Sequence, residues 1–294
     1  MPTLKEILTR ATREHWATGH FNASESDHVR AIVAAAADVG TAAIIGTSEG
    51  EAKHLGYAQA VALRDAFRKE FPETPIFLNA DHHKSVDAAK AAIDAGYDSV
   101  HIDLSALQLE ENVRGTAEVV GYSRKFKIQN SKFEISVEGE LGYLRGDSKI
   151  QQEKIAVKQE DYTDPEQARE FAEKTGVDRL AIVIGNIHGI SLDEPALDIK
   201  RIRAIREAVP ESVVLVLHAG SGIPDDQIRA AIQAGIANIH INTDLRVAYT
   251  RALRETLAAN PEGTTPYKED APARDALRAV VREKLKLFGA LGKL

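Results

Sequence analysis

The sequence predicts an α/β fold, a (β/α)8 TIM barrel with a C-terminal helical extension, and three observations carry that reading. Short apolar runs alternate with longer amphipathic segments along the whole chain, the pattern of a parallel sheet built from strand-helix-strand units. Eight such units can be counted, the number that closes a parallel sheet on itself. Histidines stand just past three of the runs, where a closed barrel gathers its strand ends.

The expected strands are residues 19–22, 42–47, 75–79, 99–104, 134–141, 179–185, 213–218 and 237–242. Helix signals fall between them. Asp87 to Ala95 is helix-forming and stops at Gly96, and a second helix starts at Pro224 and stops at Gly235. The pattern breaks over residues 142–163, a polar stretch rich in Lys, Glu, Gln and Asp, read as a long loop ending where Asp164 and Pro165 start a helix. Loops of that length are usually functional or mobile. Past the eighth strand, residues 261–268 lead into a Lys/Arg-rich helix ending at Leu287, Phe288 and Gly289. The expectation is one domain over residues 1–294.

Composition narrows the function classes. The 294 residues include 37 Lys and Arg against 44 Asp and Glu, a net charge of -7 with the signs interspersed, so neither nucleic acid nor an anionic membrane is an expected partner. There is no cysteine, so any transition metal must be held by histidines and carboxylates. The N-terminus lacks an apolar signal core and no stretch approaches the ~20 apolar residues of a membrane span; a cytoplasmic protein is expected.

His82, His188 and His218 each follow an apolar run and read together as a catalytic metal site; three nitrogens with an open position suit zinc. His83 must point away from its neighbour. Asp81, at the same strand end as His82, is placed to exchange a proton with a metal-bound substrate. Asp103, Ser105 and Glu140 are further strand-end candidates, each equally readable as a helix cap or a buried ion-pair member. Gly220, Ser221 and Gly222 after the seventh strand, Asn242 and Thr243 after the eighth, and Gly189 after the sixth form a second group whose N–H groups and hydroxyls suit a phosphate.

These residues resemble a known family. Phe21-Asn22, Thr47-Ser48-Glu49-Gly50, Asp81-His82, Ile102-Asp103-Leu104-Ser105, Val137 to Gly142, Ile187-His188-Gly189, Leu217 to Pro224 and Asn242 to Arg246 are similar to the motifs of the zinc-dependent class II fructose-bisphosphate aldolases, a ketose-bisphosphate aldolase group with the barrel fold. The resemblance spans nearly the whole chain. It implies that His82, His188 and His218 bind catalytic Zn2+, with Asp103 and Glu140 near an alternative metal position, and that Asp81 is the acid/base at the aldehyde oxygen. Gly189, Gly220, Ser221, Asn242 and Thr243 would hold the dihydroxyacetone phosphate end, and Ser48 would lie near the other phosphate, with Asn22 also on the substrate. A monovalent cation near the first phosphate and assembly as a homo-oligomer, a dimer or tetramer, are likewise implied.

Departures from that pattern gather on the substrate. His240 stands where the family usually has an asparagine contacting the enediolate, and Asn242 where many members have aspartate. Ser148 stands at the point of the loop where a proton-abstracting glutamate is usual; Asp147, Glu153 and Glu160 are the nearby acids. Tyr267 replaces an arginine that helps hold the distal phosphate, leaving Lys268 as a point charge. The expected function is reversible, metal-dependent cleavage of a phosphorylated ketose in carbohydrate metabolism. Fructose 1,6-bisphosphate, split to dihydroxyacetone phosphate and glyceraldehyde 3-phosphate as in glycolysis, is the leading substrate; tagatose bisphosphate or another ketose phosphate is the alternative. A non-catalytic zinc and sugar-phosphate binding protein is the reading from another class.

Overall fold

Barrel strands place successive side chains on opposite faces, and in this chain the two faces differ in chemistry. Phe21, Leu78, Val100, Val137, Leu180, Leu215 and Ile239 are buried against the surrounding helices. Between them stand Thr18, His20, Asn79, Ser99, His101, Glu138, Arg179, Asn238 and His240, equally buried and polar or charged. The apolar core is therefore the layer between strands and helices, while the barrel lumen is polar.

The computed structural model describes residues 1–129, 134–191 and 196–294. Its strands are β1 (Thr18–Asn22), β2 (Ala43–Ser48), β3 (Ile76–His83), β4 (Ser99–Ile102), β5 (Ser136–Leu141), β6 (Gly146–Ile150), β7 (Arg179–Ile182), β8 (His188–Ile190), β9 (Val214–Leu217) and β10 (Ile236–Ile241). Eight of them close a barrel in the order β1-β10-β9-β7-β5-β4-β3-β2, every pairing parallel. Around them lie α1 (Leu4–Glu14), α2 (Ser26–Val39), α3 (Glu49–Leu55), α4 (Tyr57–Glu70), α5 (Val86–Ala95), α6 (Leu109–Gln129), α7 (Pro165–Thr175), α8 (Ile199–Ala208), α9 (Asp225–Gln233), α10 (Thr243–Ala259) and α11 (Pro266–Leu287). The (β/α)8 expectation holds.

Three local expectations change. The third strand runs four residues beyond its expected end at Asn79, to His83, because Asp81 pairs with Ser48 and His83 with Ile102 despite their polar side chains. The polar stretch 142–163 is not all loop: β6 pairs with β8 in a small sheet outside the barrel. Gly189 makes this possible, since a Cβ there would strike the Lys149 carbonyl and its φ is +90°. The C-terminal helix starts at Pro266 and passes through Pro272, in place of an irregular segment up to Lys268.

The lumen is held by one connected network. Arg179, fully buried, places Nη1 2.7 Å from Glu138 Oε2 and donates from Nη2 to Asn79 Oδ1 at 2.9 Å across the barrel. Asn79 Oδ1 also accepts from Ser99 Oγ at 2.7 Å, and its Nδ2 lies 3.0 Å from His20 Nε2. His20 stacks on His240, its register partner, with ring centroids 3.6 Å apart. Gly46 leaves room for that pair, because a Cβ at 46 would collide with the His20 ring. Removing one partner strands a buried charge: Arg179→Met should cost about 3–5 kcal/mol, read as a lower urea midpoint, and a cost under about 1 kcal/mol would show the lumen independent of the pair.

Candidate functional site

The C-terminal strand ends carry the chemistry. Near the end of β3 the register with β4 shifts between Ala80 and His83, and His82 takes a left-handed backbone with φ +46°. This bulge aims His82 inward and turns His83 outward, where its Nε2 meets the Tyr57 hydroxyl at 2.9 Å. His218 follows β9 directly, ahead of Ala219 at φ +56°.

The imidazoles of His82 and His218 converge. His82 Nε2 and His218 Nδ1 face each other at 2.8 Å, while His82 Nδ1 lies 2.9 Å from Asp103 Oδ2 and His218 Nε2 lies 2.7 Å from Glu138 Oε1. With His82 neutral, protons on the two outer nitrogens satisfy those carboxylates and leave two lone pairs opposed. A bound cation relieves that opposition, and carboxylates behind ligand histidines are the usual way to fix tautomer and ring orientation. His188, from β8, has its ring 5.0 Å from that of His82. Burial, then the nearby charge on His82, pushes it down to about 3, so it keeps a free lone pair at neutral pH.

Among the described residues four groups bring their ligand atoms within 4.8 Å of one another; the largest is Asp81, His82, His101 and His218, and His82, Asp103 and Glu140 form another. His188 is in neither, and borders the same 30 Å³ cavity as His82 and His218. Glu140 Oε2 and His101 Nε2, 3.3 Å apart, are buried with no hydrogen-bond partner. The donor set of imidazoles and carboxylates fits a divalent transition cation.

Asp81 and His240 form the other half of the site. Asn238 donates from Nδ2 to Thr18 Oγ1 at 2.9 Å, which turns its Oδ1 to His240 Nε2 at 3.1 Å. His240 Nε2 must then carry hydrogen, and its Nδ1 faces Asp81 Oδ1 at 3.3 Å. Burial raises the Asp81 carboxyl, yet the neighbouring imidazoles of His82, His101 and His240 outweigh it and hold Asp81 well below the usual range. Asn22 donates from Nδ2 both to Asp81 Oδ2 at 3.0 Å and to Glu51 Oε2 at 2.9 Å.

Most expected substrate residues lie on the walls. Asn22, Asp81, Gly189, Ser221, His240, Asn242 and Thr243 line the small cavity, and Ser48 lines a contiguous one of 340 Å³. Gly220 is on neither wall; its N–H donates to the His240 carbonyl at 3.0 Å. Ser105 donates to Asp103 at 2.7 Å. On the strap formed by β6, Ser148 faces both cavities, whereas Asp147, Glu153 and Glu160 face neither. Tyr267 is 72% exposed. Sequence reading missed His20, Glu51, His101, Glu138 and Arg179. For the four on strands the signal was the polar residue at every second position, as in Glu138 and Glu140; Glu51 lies in the first turn of α3.

If Asp103 orients His82, Asp103→Asn should weaken metal binding about 10–100-fold in chelator competition; unchanged affinity would remove that role. The pH response of the metal-free protein follows from the imidazoles. Burial holds His20 and His218 well below 6.5 and His188 at about 3, so the folded state binds fewer protons than the unfolded. Their contribution is present above 6.5 and lost as pH falls; against their burial, His82 is raised by Asp81 and Asp103 and His101 well above 6.5 by Glu138, Asp81 and Glu140, and these two act in the opposite sense. The urea midpoint should drop between about pH 7 and 5; a flat or rising midpoint would contradict this balance.

Comparison with known proteins agrees over the full length. Residues 2–293 match the family model described as fructose-bisphosphate aldolase class-II. A fructose-bisphosphate aldolase of Geobacillus stearothermophilus is 38% identical over 293 residues, covering 99% of this chain and 98% of that protein. A probable fructose-bisphosphate aldolase of Bacillus subtilis strain 168 is 35% identical, covering 98% and 97%. Among solved structures, the YdjI aldolase of Escherichia coli K12 superposes with a TM-score of 0.80 at 31% identity, covering 100% and 99% of the two chains. The chain therefore belongs to the class II fructose-bisphosphate aldolase family, a metal-dependent family of lyases.

Proposed function

We propose that this protein reversibly cleaves a ketose 1-phosphate, fructose 1,6-bisphosphate being the form named for its relatives, to dihydroxyacetone phosphate and an aldehyde. The observation that carries the reading is the approach of Asp81 Oδ1 to His240 Nδ1 at 3.3 Å, beside two carboxylate-backed imidazoles. His82, His188 and His218 are the residues that would hold the metal, which we take to be zinc. Bound there, it supplies Lewis-acid polarisation of the ketose carbonyl and of the enediolate left by cleavage.

The remaining chemistry belongs to the chain. Asp81, kept ionised, accepts the hydroxyl proton of the carbon that becomes the aldehyde and returns it in the condensation direction. Asn22 fixes the Asp81 carboxylate through Nδ2 at 3.0 Å. His240, locked by Asn238 and by stacking on His20, presents Nδ1 where charge develops in the enediolate. Thr243, which starts α10, and Ser221, whose Oγ accepts from the Asp244 N–H of its first turn at 3.1 Å, both stand on the cavity wall, which suits the phosphate of the dihydroxyacetone half. Excluding water from the enediolate falls to the strap, whose Ser148 carbonyl accepts from Arg246 Nη1 at 2.8 Å.

Asp81→Asn, loaded with zinc, should lose about 10²–10⁴ in kcat for ketose phosphate cleavage while still binding metal. Chelation should abolish turnover in the wild type and zinc should restore it. Full activity after chelation would eliminate the metal-dependent reading.

A further inference from the structure

The two contiguous cavities give the site two chemically different ends. The smaller one, with Gly189, Ser221 and Thr243, offers backbone N–H groups and hydroxyls. The larger, 340 Å³, reaches from Asp81 and His82 to Ser24, His28, Ser48, Glu51 and Arg246. A substrate bound at the metal centre must place its aldehyde half in this second space.

That space already contains an anion of the protein's own. Glu51 folds back in a capping box at the start of α3, so that Ser48 N–H donates to Glu51 Oε2 at 2.8 Å and Glu51 N–H to Ser48 Oγ at 3.4 Å. The same carboxylate oxygen takes the Asn22 amide at 2.9 Å. The backbone donor beside Ser48 that an incoming phosphate would need is thus occupied. The ionisable walls hold two carboxyls, Glu51 and Asp81, with the imidazoles of His28 and His82 and one guanidinium, Arg246, which gives one of its donors to the Ser148 carbonyl at 2.8 Å. Glu25, off the wall, places Oε1 3.3 Å from His28 Nε2, a carboxylate already beside that imidazole. A phosphate dianion wants two or more charged donors in fork geometry. Sugar hydroxyls instead donate to carboxylates and exchange bonds with Ser24 and Ser48.

We propose that the larger cavity takes the uncharged, hydroxylated tail of an aldose, and that Glu51 is the specificity-determining residue that excludes a second phosphate. The inference rests on the aldolase reading above and deepens it. With the zinc-loaded enzyme in the condensation direction, consumption of dihydroxyacetone phosphate is measured with racemic glyceraldehyde and with racemic glyceraldehyde 3-phosphate. The expected result is a kcat/KM ratio of about tenfold or more in favour of the unphosphorylated aldehyde.

Glu51→Ala should then move that ratio about tenfold or more toward the phosphorylated one. Any general loss from disturbing Asn22 and Asp81 affects both acceptors and cancels in the ratio. Glu51→Gln, which keeps the side chain's shape and removes only its charge, should move it in the same direction. A wild-type preference for glyceraldehyde 3-phosphate overturns the proposal, and a ratio unmoved by both variants overturns the role of Glu51. No consumption with either aldehyde overturns the aldolase reading itself, and this inference with it.

Discussion

The buried contact between Arg179 and Glu138 is the constraint on which the rest of the barrel depends. Glu138 sits at the crossing of two demands: one oxygen faces the guanidinium at 2.7 Å and the other faces His218 Nε2 at 2.7 Å. A charge that stabilises the lumen therefore also sets the tautomer of a residue at the metal centre. A neutral apolar lumen would pack as well or better, since replacing buried ion pairs by apolar groups is often stabilising. The chain keeps the polar version because the site above it needs oriented imidazoles and a carboxylate held ionised.

The same logic extends through His20 and His240. Stacked in register on β1 and β10, they pass the packing of the lumen directly to Asp81. His240 is thereby rigid at the place where the enediolate would form, with neither nitrogen free to re-aim. Preorganisation of this kind places donors before the charge they serve appears, which is where electrostatic catalysis gains most.

Much of the fold was legible in the sequence, because strand and helix periods are set by backbone geometry and survive in the residue pattern. His82 and His218 were legible for the same reason: a polar residue at a strand end has few structural alternatives. The lumen was not. A strand with polar residues at alternate positions reads as half exposed, and only ring closure shows that Asn79, Glu138 and Arg179 face one another across the barrel. Glu51 was not legible either, because its place beside the site depends on Asn22 arriving from β1. The strap was hidden because Gly146 to Ile150 carries no apolar period, and its pairing with β8 depends on Gly189, backbone hydrogen bonds and the Gln151 amide, which donates to the Asp147 and His188 carbonyls.

Closure of the barrel joins β1 to β10, the first and last strands of the ring, with His20 opposite His240. A ribosome builds these partners more than two hundred residues apart, so an emerging chain carries its charged lumen without the last wall that seals it. Until β10 docks, water can solvate Glu138 and Arg179, and the polar interior favours an open sheet over premature collapse around a wrong strand. Such long-range pairing slows folding, yet here the same residues act as a register key. The docking of β10 seats Asn238 on Thr18 and His240 on His20, so closing the ring and assembling the active site become a single event.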